Sequence, residues 1–223
     1  MLHHAFHRKR RSSRAFYEDE VTSCVFGPLA FMTPAQVWLI TNGLFWNEPT
    51  QDLSEQITKV EIEFWPRRSL GDGWVYPDLV ISYSRHSEMI RELILEVKWE
   101  SGASNRSGES GDQLSSQVAS RSAKPRSRDC KQKLVYLVRY LSTAQREVDS
   151  GNQKIGHLAI VKKTWQEVRE WCADQKSRKD SNSGKWALLV DVFLEQSGVY
   201  NFHGFKDAIS TEIDQSANWN FCR

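Results

Sequence analysis

Two short apolar runs carry charge in their middles: Tyr76-Pro77-Asp78-Leu79-Val80-Ile81, and Leu93-Ile94-Leu95-Glu96-Val97-Lys98-Trp99. Each reads as a buried strand, and a buried charge is costly unless it is paired or bound to metal. Strand side chains alternate between faces. Glu96 and Lys98 therefore point the same way as Ile94, while Leu95, Val97 and Trp99 face the other side. A carboxylate on one strand, beside a carboxylate and an ammonium on the next, makes a compact metal site with a cation next to it. Such a set suits phosphodiester hydrolysis. Two carboxylates match a hard ion such as Mg²⁺, which keeps several waters and takes substrate phosphate as a further ligand. The ion would acidify a bound water and polarise the phosphate. Lys98 would stand beside that water or beside the developing negative charge. The structural alternative is a Glu96–Lys98 ion pair closing the end of a sheet. Pro77-Asp78, a hairpin's length upstream, favours the catalytic reading.

In this order, Pro77-Asp78 followed by Glu96-Val97-Lys98 resembles the signature of the PD-(D/E)XK nuclease superfamily, from about Phe16 to about Trp165. Two further segments agree. Asp112-Gln113-Leu114 opens an apparent helix after the Glu96 strand, where several bacterial branches of the superfamily carry a glutamine that points at the active site. Upstream, Tyr17-Glu18-Asp19-Glu20-Val21-Thr22-Ser23 resembles the N-terminal helix of those branches, whose acidic residue can complete the metal site. The resemblance implies a Mg²⁺-dependent endonuclease acting on DNA, with Mn²⁺ able to substitute. Asp78 and Glu96 would bind the metal, with the Val97 carbonyl a further ligand and Glu20 supporting from the helix. Lys98 would stabilise the transition state and Gln113 would orient the water. Glu18, Asp19 and Glu20 are adjacent, and the sequence leaves open which of them faces the metal. Branches of this kind occur in bacterial defence or mobile-element systems, where partner proteins supply specificity or gating.

The elements that must position these residues follow from periodicity and caps. Residues 17–29 read as a helix with acids at its positive end. Thr33-Pro34 caps a second helix reaching Asn42-Gly43. Residues 57–65 alternate as a strand, with Val60, Ile62 and Phe64 on one face and Glu61, Glu63 and Trp65 on the other. Gly71-Asp72-Gly73 is a turn into the Asp78 strand, and residues 84–88 connect to the Glu96 strand. Residues 101–110, rich in Gly and Ser, read as a mobile loop or linker. Gln113, Ser116 and Gln117 share a helix face. A strand over 134–141, a short helix over 143–148 and a strand over 155–161 follow. Thr164-Trp165-Gln166-Glu167 fits a capping box, with Trp165, Val168, Trp171 and Cys172 on one apolar face. After a polar loop at 177–184, Trp186, Leu189, Val190, Phe193 and Leu194 have helical spacing, and Gly198 stands as a C-terminal cap. The tryptophans of these helices read as core, and residues 200–205 as a closing turn. The fold class is therefore α/β, with a restriction-endonuclease-like α-β-β-β-α-β core, a mixed central sheet and additional C-terminal helices. Residues 1–15 form a basic arm and 16–223 a single domain.

Composition adds boundaries. At 223 residues the chain can bury a full core, and a net charge of +2 identifies no partner class. The basic residues cluster, however. Arg8, Lys9, Arg10, Arg11 and Arg14 crowd the N-terminus, and Arg121, Lys124, Arg126, Arg128, Lys131 and Lys133 form a second group. Both read equally as phosphate contacts and as a frayed arm and a solvated loop. Cys24, Cys130, Cys172 and Cys222 show no paired spacing, so a reducing cytoplasm is the simplest compartment. No segment has the length of a membrane span. His3, His4 and His7 belong to the arm; His86, His157 and His203 are isolated. Two other function classes stay open: a non-catalytic nucleic-acid-binding or scaffold subunit that keeps the fold, and an RNA-directed nuclease.

Overall fold

Alternating apolar residues place five strands side by side. The computed structural model describes residues 18–49, 51–71, 73–99, 114, 116–117, 119–120, 126–140, 160–175, 177 and 181–200. Seven strands lie within them: β1 (Lys59–Phe64), β2 (Arg68–Leu70), β3 (Gly73–Val75), β4 (Leu79–Arg85), β5 (Glu88–Lys98), β6 (Arg126–Val138) and β7 (Ile160–Thr164). The main sheet runs β1-β4-β5-β6-β7, and β2 and β3 form a separate hairpin. β4 is antiparallel to both β1 and β5, whereas β5, β6 and β7 are parallel. The sheet is thus mixed, with β5 at its centre. The β2–β3 hairpin turns at Gly71, whose φ of +53° suits a residue without a Cβ.

Helices α1 (Glu18–Phe26), α2 (Pro34–Thr41), α3 (Gln51–Ser54), α4 (Trp165–Gln175) and α5 (Asn182–Gln196) accompany the sheet. A 3₁₀ turn (Gly27–Phe31) extends α1 and a π turn (Asn42–Trp46) extends α2. Both capping devices form. The Thr33 backbone N–H donates to Gln36 Oε1 at 3.1 Å, and the Gln36 N–H returns to Thr33 Oγ1 at 3.4 Å. Thr164 and Glu167 do the same at 2.7 and 3.1 Å. Gly198, at φ +82°, follows α5 as expected.

Each face of the sheet has its own core. Leu79, Ile81 and Tyr83 of β4, with Leu93, Leu95, Val97 and Trp99, pack beneath α1, α2, α4 and α5. Val80, Ile94, Leu134, Tyr136, Val138 and Ile160 occupy the opposite face, beneath Leu114. Leu114, Ser116, Gln117 and Ala119 are helical. Trp165 and Trp186 are buried, and Trp171 packs on the same core. The Trp186 indole N–H donates to the Val25 carbonyl at 2.8 Å, tying α5 to α1.

Three expectations change. β6 begins at Arg126 rather than near residue 134, so Arg126, Arg128, Lys131 and Lys133 are strand residues, not a solvated loop. Their partners explain it. Arg126 meets Glu92 at 2.8 Å and Lys131 meets Glu48 at 3.1 Å, while Lys133 donates to the Phe45 carbonyl at 3.0 Å. α5 starts inside the segment expected as loop because Ser181 caps it, its hydroxyl accepting from the Gly184 N–H at 3.0 Å. Leu189, expected on the apolar face of α5, is 47% exposed. The N-terminal arm, the loop at 101–110, Arg121, Lys124, the helix at 143–148, Cys222 and the turn beyond Tyr200 lie outside the described residues.

Gly43 shows how closely the helical layer fits. A Cβ there would lie 2.5 Å from Trp171 Nε1, inside van der Waals contact. Gly43→Ala is expected to lower unfolding free energy by about 1–3 kcal/mol through overpacking, read by urea denaturation. An unchanged midpoint would show that Trp171 does not pack on this turn.

Candidate active site

Register brings the charged residues together. β4 and β5 pair Leu79 with Leu95 and Val80 with Ile94. One step further along, Asp78 stands across from Glu96 on the sheet face that also carries Val80 and Ile94. The Asp78 carboxylate is fixed by its Oδ2, which accepts from the Val97 N–H at 2.7 Å. On the other side, the Trp65 N–H donates to the Asp78 carbonyl at 3.1 Å. Asp78 is thus clamped between β1 and β5 just before β4 begins.

Glu96 is 2% exposed, and both of its oxygens are engaged. Lys98 Nζ donates to Oε1 at 2.7 Å, and Gln117 Nε2 donates to Oε2 in a very short contact. Lys98 Nζ also reaches Glu18 Oε1 at 3.2 Å, and the Trp99 N–H donates to Glu18 Oε2 at 3.2 Å. The cluster therefore holds three carboxylates and one ammonium, on the N-terminus of α1, the approach to β4 and the end of β5, and the helix after β5 adds the Gln117 amide.

Glu18, rather than the expected Glu20, is the helix acid that bonds to Lys98 and to Trp99. Helical geometry explains the choice. Glu18 lies three, four and seven residues before the buried Val21, Thr22 and Val25, so it continues the inward stripe of α1. Glu20 lies two positions on, about 200° around the axis from Glu18. That signal was present in the apolar spacing. Gln113 lies outside the described residues, and Gln117, one turn later on the shared face, makes the contact with Glu96.

Electrostatics separates the roles. Burial is the largest cause raising the Asp78 carboxyl, and the Glu96 charge adds to it. The Val97 N–H and the Lys98 ammonium offset only part, leaving its pKa raised to about 8. For Lys98, burial alone would lower the pKa, but Glu96, Glu18 and Asp78 outweigh it, and the net shift is upward. Lys98 is therefore a fixed cation and not a base near neutral pH.

The donor set fits a hard divalent ion. Among the described residues no group of three or more His, Cys, Asp or Glu is close enough to hold a metal by itself. Mg²⁺ needs only one or two protein carboxylates when waters and phosphate complete its shell. Asp78 and Glu96 supply two such carboxylates, and burial first, with the Glu96 charge second, raises the Asp78 carboxyl.

Of the basic residues expected to contact nucleic acid, Arg126 and Lys131 are held in the ion pairs above, while Arg128 is exposed. Sequence reasoning missed a second buried carboxylate on the same face of β5. Glu92 is wholly buried, and its Oε2 accepts from Arg68 at 3.1 Å, Arg126 at 2.8 Å and Gln132 at 3.0 Å. Parity was the available signal, since Glu92, Ile94, Glu96 and Lys98 alternate with the apolar residues. The chain matches no protein-family model, no curated protein and no solved structure.

The Asp78 shift has a sign that can be checked. A carboxyl whose folded pKa is raised contributes stability below its unfolded pKa and loses it as pH rises through the folded value. Asp78→Asn keeps an oxygen for the Val97 N–H but carries no charge. In EDTA it is expected to melt several degrees above wild type at pH 8, with the gap closing toward pH 4. A gap that stays constant across this range would mean that Asp78 is not held in the less favoured charged state.

Proposed function

We propose that the chain is a Mg²⁺-dependent endonuclease that hydrolyses DNA phosphodiester bonds on a restriction-endonuclease-like scaffold, with Mn²⁺ able to substitute. The observation that carries this reading is the convergence of Asp78, Glu96 and Lys98, with Glu18 and Gln117 in direct contact with them. The order α1, β1, β4, β5, the helix with Gln117 and then β6 supports the scaffold, with the β2–β3 hairpin inserted and β7 added at the sheet edge. Membership of the PD-(D/E)XK superfamily is part of the same proposal.

Each residue has a defined task. Asp78 and Glu96 would hold the ion, with the Val97 carbonyl beside them, and the bound metal supplies Lewis acidity and an acidified water. Asp78 is oriented by the Val97 N–H, so its second oxygen is free to turn toward solvent and ion. Lys98 holds positive charge where a pentavalent phosphate gathers negative charge, which is worth most in a water-poor site. Glu18 and Glu96 keep that ammonium protonated and aimed. Gln117 fixes the plane of the Glu96 carboxylate. The leaving oxygen would take its proton from solvent, since Lys98 is held protonated and Asp78 gives up its proton on taking the ion.

Arg128 and the residues of its cluster outside the described region would contact phosphates. No described helix is long and apolar enough to cross a membrane. A nuclease of this kind in the cytoplasm needs restraint, which fits gating by protein partners in a defence or mobile-element system.

Supercoiled DNA incubated with Mg²⁺ is expected to be nicked or linearised, and EDTA to abolish it. Asp78→Asn and Lys98→Ala should each lower the rate by at least about 100-fold. Mg²⁺ should also raise the melting temperature of wild type at pH 8 and not that of Asp78→Asn. Cutting that survives in both variants would place the activity elsewhere. If wild type neither cuts nor gains stability from Mg²⁺, the scaffold reading replaces this one.

A further inference from the structure

The β2–β3 hairpin leads directly into Pro77-Asp78, and its two faces differ in chemistry. Paired residues of an antiparallel hairpin share a face. Arg68 pairs with Val75, and Ser69 with Trp74. The first pair points inward, where Arg68 is 4% exposed and is bound to Glu92 at 3.1 Å and to the Ser120 carbonyl at 3.2 Å. The second pair points outward, and the same parity carries Arg67 and Tyr76 to the outer side. All four outer residues are exposed, with Trp74 at 52% and Tyr76 at 55%. A hairpin face turned to water normally carries polar residues; this one carries two aromatic rings and a guanidinium. The Arg67 guanidinium lies 3.6 Å from the centre of the Trp74 ring.

The hairpin is anchored from its inner side. Arg68 sinks a charge into the sheet, where Glu92 compensates it, and removing Glu92 would leave that charge buried and unpaired. The anchored backbone leads into Asp78, two residues beyond Tyr76 in the chain. A third exposed indole, Trp65, is anchored there too, its backbone N–H bonded to the Asp78 carbonyl.

We infer that the outer face of the β2–β3 hairpin, with Trp74, Tyr76 and Arg67, is a stacking platform for an unpaired nucleic-acid strand entering the Asp78 site. This deepens the proposed nuclease function and rests on it for the nature of the substrate. Aromatic side chains stack on bases only where the base faces are open, as in single strands, flaps and splayed ends, while a paired duplex offers them only its edges and backbone. Arg67 adds a cation for phosphate and cation–π contact with a neighbouring base. The hairpin thereby favours substrates with unpaired nucleotides next to the bond that is cut.

Binding separates this inference from cleavage. Fluorescein-labelled oligothymidine, oligouridine and a duplex of equal length would be titrated with the full chain in EDTA, so that cutting does not intervene. Wild type is expected to bind the single strands more tightly than the duplex, and the two single strands distinguish DNA from RNA. Trp74→Ala and Tyr76→Ala should each weaken single-strand binding by about tenfold, with duplex binding little changed. Trp74→Phe keeps a ring and should restore most of the loss. Melting temperatures should fall by no more than a few degrees, because about half of each ring faces water and the Arg67–Trp74 contact is an exposed one. Single-strand binding equal in wild type and both alanine variants would overturn the platform, even if the chain cuts DNA. Failure of wild type to bind either single strand would also overturn it and leave the face to a protein partner. Ring-dependent binding without any cutting would uphold the platform and count against the nuclease reading.

Discussion

Two carboxylates sunk into one face of the central strand set the terms for that whole side of the molecule. Glu92 and Glu96 are almost completely buried, four residues apart on β5, with the apolar Ile94 between them. Each must be compensated, because an uncompensated buried charge costs several kcal/mol even after the protein relaxes, roughly 3–5 when one partner of a pair is removed. The compensation comes from different elements. The hairpin contributes Arg68, β6 contributes Arg126 and Gln132, the helix between β5 and β6 contributes Gln117, and β5 itself contributes Lys98. The layer on this face is assembled around charge. Its two centres are also linked, since Arg68 bonds to the Ser120 carbonyl and the Ser120 hydroxyl to that of Gln117.

The opposite face works by different means. There Trp99 meets Trp165 edge-on with ring centres 5.5 Å apart, and Phe26 packs on Trp165 at 6.1 Å. Such aromatic pairs contribute about 0.5–1.5 kcal/mol beyond the area they bury. An ionic device on this side, Arg169 bound to Asp191 at 2.9 Å and Glu195 at 2.7 Å, ties α4 to α5. Aromatic packing and the Asp78–Glu96–Lys98 cluster thus lie on the two sides of one strand. Val97 joins them: its side chain lies in the helical core while its N–H orients Asp78.

Much of the fold was legible because local rules act strongly in this chain. Alternation in residues 93–99 placed Glu96 and Lys98 opposite Leu95 and Val97, and the caps at Thr33 and Thr164 marked two helix starts correctly. Other features failed to show locally. Arg126 and Lys131 looked like loop residues because charge in sequence does not disclose its partner, and Glu92 and Glu48 lie 34 and 83 residues away. The β2–β3 hairpin is only three residues per strand, too short for periodicity to register.

Taken alone, the amino-acid order determined which residue types could do chemistry and on which side of a strand each would stand, because side-chain alternation is a property of the backbone. It also determined that Asp78, Glu96 and Lys98 would cost free energy if buried alone. Tertiary structure decided their company. The apolar stripe of α1 already put Glu18 on its inward side, and the docking of α1 against β5 brings it to Lys98 and Trp99. Only the packing of the helix after β5 brings Gln117 to Glu96, and only the pairing of β4 with β5 sets Asp78 beside it. Charge is written residue by residue, but its neutralisation acts through space, between segments that chain order keeps apart.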